Sequence, residues 1–117
     1  NVIDESSKQN IDNSQHPKGA TMPKITFKSV QDANILSITY MRSGKECNFD
    51  VKCDKDTNIH TNSYNIGRFF IIEIYDSNHN FLRAAIFDGE EGHQVTDERG
   101  TLDKSLKALR QNMNVIR

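Results

Sequence analysis

The chain has two cysteines, and both lie in the stretch ECNFDVKCD, residues 46–54. Thiols at this spacing could form a disulfide, bind a metal or pack in a core. Read in steps of two, Cys47, Phe49, Val51 and Cys53 share one side, which is typical of a half-buried strand. A straight strand would separate the two cysteine Cα atoms by about 20 Å, whereas a disulfide needs them within about 7 Å. The pattern therefore favours two unpaired thiols that face the core.

Two alternatives for these cysteines stay open. A disulfide would need a sharp bend at residues 48–50 or a cysteine of another chain. A zinc site is disfavoured because the C-x5-C spacing lacks the second ligand pair at the usual short spacing. A thiol buried in a core is inert, so we expect neither a catalytic cysteine nor a bound metal here. Reduced thiols are typical of the cytosol.

Two other stretches imitate the start of a calcium-binding loop. Residues 54–58 and 76–80 both place oxygen-bearing side chains at the first, third and fifth positions. The sixth position is Ile59 or Phe81 instead of the glycine that such a loop needs, and the twelfth is not glutamate. Asp and Asn also favour turns, so both stretches are predicted to be turns.

The histidines give no clear catalytic pattern. His16, His60, His79 and His93 are scattered, and no pair has the i, i+4 spacing of a metalloprotease helix. An enzyme would require the last three to converge in space. The chain also has no G-x-S-x-G motif and no phosphate-binding glycine loop. We therefore expect no catalytic residue, no metal and no cofactor, and a chain that is not an enzyme.

Length and charge limit the class of protein. A chain of 117 residues with net charge -1 is predicted to be one domain without affinity for nucleic acid or anionic lipid. No apolar run reaches the roughly 20 residues that span a bilayer. Residues 1–24 are polar and contain both prolines, which is typical of a flexible tail or linker, and residues 25–117 form the predicted domain. Because the chain opens with Asn1, a processed or trimmed start is expected, and the tail is a candidate tether.

The first strands follow from a register test. Residues 34–41 alternate, and Ser43 and Gly44 lie midway between them and the cysteine strand. A two-residue loop there would pair the apolar residues of one strand with those of the other, and a slip of one residue would destroy the match. The predicted pairs are Leu36 with Val51, Ile38 with Phe49 and Tyr40 with Cys47.

The remaining segments complete the predicted sheet. Ile25 and Phe27 suggest a short first strand, and the polar residues 54–66 are interpreted as a long surface loop. Residues 67–76 are apolar on both faces, which predicts a strand covered on both sides, and residues 81–89 pair with it as a second hairpin. Residues 88–100 are predicted to be an acidic loop, with a short edge strand at 93–96 as an option.

The C-terminal segment is predicted to be an amphipathic helix of about a dozen residues. Thr101 is its expected N-cap, Asp103 lies in its first turn, and Arg110 lies near its end. The apolar stripe should cover the sheet, although docking on a partner helix is the alternative. Its members are Leu102, Leu106, Leu109 and Met113.

These expectations combine into an α+β domain, with a small antiparallel sheet of four to five strands in consecutive hairpins, one C-terminal helix packed on it and a polar N-terminal tail. The predicted function is non-enzymatic protein binding, as a tethered component of a multi-protein exported or cell-envelope assembly. The alternative is a cytoplasmic or periplasmic immunity or inhibitor protein that blocks a toxin or hydrolase through its acidic loops. The expected partners are other protein chains. Candidate partner-binding residues are Asp54, Asp56, Asn58, His60, Asn62, Glu90, Glu91 and His93.

Overall fold

The computed structural model describes residues 22–116, with side chains described through residue 112. The tail prediction for residues 1–24 therefore lies mostly outside the described residues, as does the side chain of Met113. The elements are β1 (Lys24–Ser29), β2 (Ala33–Arg42), β3 (Lys45–Asp54), β4 (Ile59–Ile66), β5 (Phe69–Asp76), β6 (Phe81–Asp88), β7 (Glu91–Thr96) and α1 (Arg99–Ile116).

The hairpin of β2 and β3 has the predicted register. Tyr40 lies opposite Cys47, and the pairing continues without a slip from Arg42 and Lys45 to the far end of both strands. The loop consists of Ser43 and Gly44, with φ angles of 53° and 82°. Two successive left-handed residues are what the tightest hairpin loop requires, because its backbone twist matches that of the strands. The prediction is confirmed.

One seven-stranded sheet curls into a half-barrel. Along it the order is β1-β2-β7-β6-β5-β4, and β3 pairs with the other edge of β2. The strand β2 meets β7 at a single parallel pair, Met41 with Glu91, so the two halves of the sheet share a corner. The inner faces of β2 and β3 pack there against those of β5 and β6. This first core contains Leu36, Ile38, Tyr40, Val51, Ile72, Ile74, Ala85 and Phe87.

A second core lies between the outer face of the sheet and α1. Leu102 and Leu106 are buried and Leu109 is half-buried against this face, so the predicted apolar stripe covers the sheet. The strand β5 contributes Ile71 to this core and Ile72 to the other. It is therefore covered on both faces, as its apolar sequence predicts.

The sheet is larger than the four to five strands predicted. The expected loop at residues 54–66 is wrong, because Ile59–Ile66 forms the strand β4 along β5. The acidic segment 88–100 contains the strand β7, which extends the optional strand and lies between β6 and β2 rather than at an edge. The sheet is also not a pure series of hairpins, because the pair between β2 and β7 is parallel.

The helix α1 is longer than the predicted dozen residues. It spans 18 residues and begins at Arg99, so Thr101 is not its N-cap. The backbone N–H of Leu102 donates to the carbonyl of Glu98, which places the cap at Glu98. Thr101 lies inside the first turn and donates its hydroxyl to the Glu98 carboxylate at 2.8 Å. Asp103 therefore falls beyond the first turn, and Arg110 lies well before the end.

Candidate interaction surface

One edge of the strand β1 is unpaired among the residues that the structure describes. Within the described part of the chain β1 pairs with β2 alone, in an antiparallel register. The N–H of Val30 donates to the carbonyl of Ala33 at 2.9 Å, which marks this facing pair as hydrogen-bonded. Because hydrogen-bonded and non-bonded pairs alternate along an antiparallel ladder, the backbone groups of Ile25, Phe27 and Ser29 point away from β2. They are available to another strand.

The same edge exposes two large apolar side chains. Phe27 is 63% exposed and Ile25 is 36% exposed. They lie opposite Leu36 and Ile38, which are fully buried in the first core, so all four share one face of the sheet. The apolar inner face thus continues past the core to the open rim at β1. Exposed apolar side chains that are continuous with one another indicate an interaction surface, whereas a single isolated one does not.

A groove of about 530 Å³ lies beside this edge. One wall comes from the hairpin of β1 and β2 and the other from the start of β4. The charged or chargeable residues among those that line it are Lys28 and His60, and no carboxylate or thiol of the described residues is among them. The lining includes Phe27, Lys28, Ile35, Asn58, Ile59 and His60. We call the free edge of β1 together with this groove the β1 rim.

Five of the predicted contact residues lie in segment 54–62, and only some of them line the groove of the β1 rim. Asn58 and His60 line the groove. Asp54 ends β3, Asp56 lies in the turn that follows, and Asn62 is exposed on β4, and none of these three lines it. The structure therefore gathers two of the five beside Phe27. Sequence reasoning missed Phe27 and Lys28 themselves.

Of the remaining predicted contact residues, Glu90 lies in the turn after β6, and Glu91 and His93 lie in β7. The carboxylate of Glu91 accepts a short hydrogen bond from the backbone N–H of Ser43. The carbonyl of Glu90 accepts one from the N–H of Met41 at 3.0 Å. Both residues thus hold the tip of the hairpin of β2 and β3 against the start of β7, so the segment has an internal structural role.

His93 lies far from the other described histidines. Its ring packs edge-on against Phe69 with centroids 5.2 Å apart. His60 pairs with Tyr75 at the opposite end of β5, and His79 follows in the next turn. The six residue steps of β-strand from Phe69 to Tyr75 span about 20 Å. The histidines required for an enzyme site therefore do not converge.

Among the residues whose burial is described, one carboxylate is buried, and it belongs to Glu73 on β5, which is 4% exposed. The Tyr64 hydroxyl donates to its Oε2 at 2.5 Å, and the Tyr75 hydroxyl donates to its Oε1 at 2.8 Å. The guanidinium of Arg99 lies 3.1 Å from Oε1 and also donates to the Tyr75 hydroxyl at 2.7 Å. We call these four residues the Glu73 cluster. It joins β4, β5 and the first residue of α1.

Electrostatics keep this carboxylate ionised. Burial alone would raise the pKa of Glu73, but hydrogen bonds from Tyr64, Tyr75 and Arg99 outweigh it and lower that pKa. Burial and the bond to Glu73 raise the pKa of both tyrosines, so they stay protonated donors. A carboxylate held as an anion with every neighbour donating to it suits a structural clamp, since a general acid must carry a proton at working pH.

The other chemical candidates have structural roles. Oδ1 of Asp76 accepts hydrogen bonds from the N–H groups of Asn78 and Asn80 at 2.9 Å, so this calcium-like stretch is a turn. Over residues 22–116, no group of three or more His, Cys, Asp or Glu is placed to bind a metal ion. Cys47 and Cys53 are both free and half-buried, so they are less buried than predicted.

Comparison of the chain with protein-family models, curated proteins and solved structures finds no match. Among the described helical residues, none form a stretch long and apolar enough to cross a bilayer.

Proposed function

We propose that this chain is a non-enzymatic protein-interaction domain that binds a partner protein through the β1 rim. The observation that carries the proposal is the 63% exposure of Phe27 on a strand whose outer edge is unpaired within the described residues. Burying one phenylalanine side chain stabilises a complex by about 1.5–3 kcal/mol. Aromatic anchors of this kind dominate the energetics of protein interfaces.

The chemistry of the groove supports binding over catalysis. Its described lining offers apolar side chains, amides and the cationic Lys28. The buried carboxylate of Glu73 belongs to the second face of the sheet, under α1, and is fully engaged by its neighbours. Contact and hydrogen bonding are therefore the functions that the β1 rim can perform.

The setting of this interaction is a further part of the proposal. The polar composition of residues 1–24 favours a tethered component of a multi-protein exported or cell-envelope assembly. The inhibitor alternative, which relies on Glu90 and Glu91, stays a prediction. Since the Glu91 carboxylate already accepts a hydrogen bond from the Ser43 backbone, neutralising it would disturb the hairpin of β2 and β3 as well as any partner contact.

A photo-crosslinking experiment tests the proposal. Benzoyl-phenylalanine placed at residue 27 in the full chain, expressed in its own cells, should crosslink to one or a few defined proteins. The same probe at the exposed Lys107 of α1 serves as the control. The crosslinked protein is then purified and titrated with the wild-type chain and with the Phe27→Ser variant.

We expect Phe27→Ser to weaken that complex by about tenfold or more, because it removes a buried aromatic anchor. Its thermal midpoint should stay close to wild type, since the side chain is mostly exposed in the free chain. Equal crosslinking from both positions, or unchanged affinity of Phe27→Ser, would refute the proposal. Loss of the complex through Glu90→Gln, with Phe27→Ser still bound, would instead favour the inhibitor.

A further inference from the structure

We propose that the occupant of the β1 rim is an extended segment of a partner protein that adds to β1 as an antiparallel strand. Its side chains alternate between apolar residues that cover Ile25 and Phe27 and carboxylates that face Lys24 and Lys28. The inference rests on the proposed function and specifies the chemistry of the partner.

The backbone of β1 is arranged for strand addition. Ile25, Phe27 and Ser29 direct their N–H and C=O groups to the open side, as the alternation of the ladder with β2 requires. An added strand would satisfy these groups with main-chain hydrogen bonds, which supply affinity without regard to sequence. Its alternate side chains then decide which segment binds.

The two faces of β1 differ in character, and this difference sets the pattern of the partner. Ile25 and Phe27 share the inner face with the first core, where apolar side chains of an added strand would cover them. Lys24 and Lys28 lie on the other face and are exposed. Side chains directly opposite on neighbouring strands interact, and opposite charges there are favourable. A strand with carboxylates at those positions therefore fits.

Charge also argues against the other occupants. Lysines on an exposed edge discourage pairing with unrelated strands. A second copy added in antiparallel fashion would place Lys24 and Lys28 of both copies on one face, where like charges repel. The sequence of β1, KITFKS, contains no carboxylate to offset them. The described groove lining contains none either. An acidic segment of a different protein meets these conditions best.

Synthetic peptides of alternating pattern provide the test. The probe is acetyl-Glu-Val-Glu-Phe-Glu-Val-Glu-amide, added to the full chain labelled with ¹⁵N. One control replaces each Glu by Lys, and the other keeps the composition but groups the glutamates before the apolar residues. Binding is followed by NMR titration at two salt concentrations, and amide hydrogen exchange is measured at saturation.

We expect the alternating acidic peptide to bind, with slower exchange of the amides of Ile25, Phe27 and Ser29, and the two controls to bind at least about tenfold more weakly. The double variant Lys24→Glu and Lys28→Glu should lose about tenfold in affinity for the acidic peptide and gain affinity for the lysine peptide. Both side chains are exposed, so this variant should keep its fold, which its NMR spectrum will verify. Lys28→Gln provides a milder second variant.

Equal binding of the acidic and lysine peptides would overturn this inference, as would protection of amides on β4 in place of β1. Self-association that depends on Phe27 in sedimentation experiments would identify a second copy as the occupant and would overturn it too. If no peptide binds while the partner found by crosslinking still requires Phe27, strand addition fails and the proposed function stands. If neither the peptides nor any protein binds through Phe27, both fail.

Discussion

The Tyr64 hydroxyl donates a hydrogen bond of 2.5 Å to the carboxylate of Glu73, across the pair of strands β4 and β5. An edge strand whose side chains are mostly exposed is thereby linked to the one buried charge of the described residues. Arg99 approaches the same carboxylate from the start of α1. A single anion therefore links an edge strand and a helix to the centre of the sheet, in addition to the strand pairing and the leucine contacts.

We expect Glu73→Gln to lower the free energy of unfolding by about 2 kcal/mol. The substitution keeps the size of the side chain, but it removes the charge that Tyr64, Tyr75 and Arg99 surround. Urea unfolding followed by circular dichroism at neutral pH measures the change.

The matched control is Asp103→Asn. Asp103 also pairs with Arg99, at 3.2 Å and one helical turn away, but both side chains in this pair are about half exposed. Exposed pairs of this kind contribute at most about 0.5 kcal/mol. A loss from Asp103→Asn equal to that from Glu73→Gln would contradict the assignment of Glu73 as the clamp.

The stabilising effect of Glu73 should depend on pH. Hydrogen bonds outweigh burial and hold the pKa of Glu73 below its unfolded value of about 4.3. The contribution is therefore fully present above about pH 4.3 and is lost as pH falls through the lower folded pKa. We expect the difference in unfolding free energy between wild type and Glu73→Gln to shrink over that interval.

The pH dependence must be read from the difference in unfolding free energy between wild type and Glu73→Gln, because other carboxylates titrate in the same range. Hydrogen bonds from Asn80 lower the pKa of the exposed Asp76 as well, and this effect is common to both proteins. A difference that stays constant from pH 7 down to pH 2 would contradict the role given to the Glu73 charge.

Gly92 is expected to tolerate no side chain. A Cβ added there would lie 2.5 Å from two ring carbons of Tyr40, which is itself packed edge-on between Phe49 and Phe87. We expect Gly92→Ala to destabilise the fold by about 2 kcal/mol, because the ring must leave its place in the core. Thermal and urea unfolding measure the effect.

Gly100 offers the matched glycine, since a Cβ added there meets nothing within 4 Å and the position lies in α1. Gly100→Ala should stabilise the fold by about 0.5 kcal/mol through helix propensity and a less flexible unfolded chain. In a Tyr40→Leu background the cost of Gly92→Ala should fall, because the two sites are in contact. Equal costs in both backgrounds would show that Tyr40 is not the cause.

The elements with a strong apolar pattern were predictable from the sequence. The register of β2 and β3 followed from three matched apolar pairs around a two-residue loop, and the leucine stripe of α1 followed from helical spacing. Both patterns arise because the residues face a core on one side and solvent on the other. The coverage of β5 on both faces was readable for the same reason.

The elements that the sequence did not predict lack a clear contrast between apolar and polar faces. The strand β4 is an edge strand with mostly exposed side chains, so its sequence IHTNSYNI resembles a loop. The strand β7 contains Gly92 because Tyr40 occupies the space of a side chain, and its apolar content is low as a result. The first residue of α1, Arg99, contacts Glu73, which is distant in sequence, and a local pattern does not show such a contact. The β1 rim was missed because an alternating pattern shows which residues share the apolar face of a strand, but not whether that part of the face is covered.

Cys53 should react slowly for a partly exposed thiol. Burial raises its pKa, and the carboxylates of Asp76 and Asp54 raise it further, so less thiolate is present at pH 8. In a Cys47→Ser background we expect iodoacetamide to modify folded Cys53 at least about threefold more slowly than the same thiol in urea, measured by intact mass over time. Asp54→Asn should speed the folded reaction, whereas Asp50→Asn, a matched carboxylate on the same strand, should not. An equal gain from both variants would mean that general charge, rather than the placement of Asp54, controls this thiol.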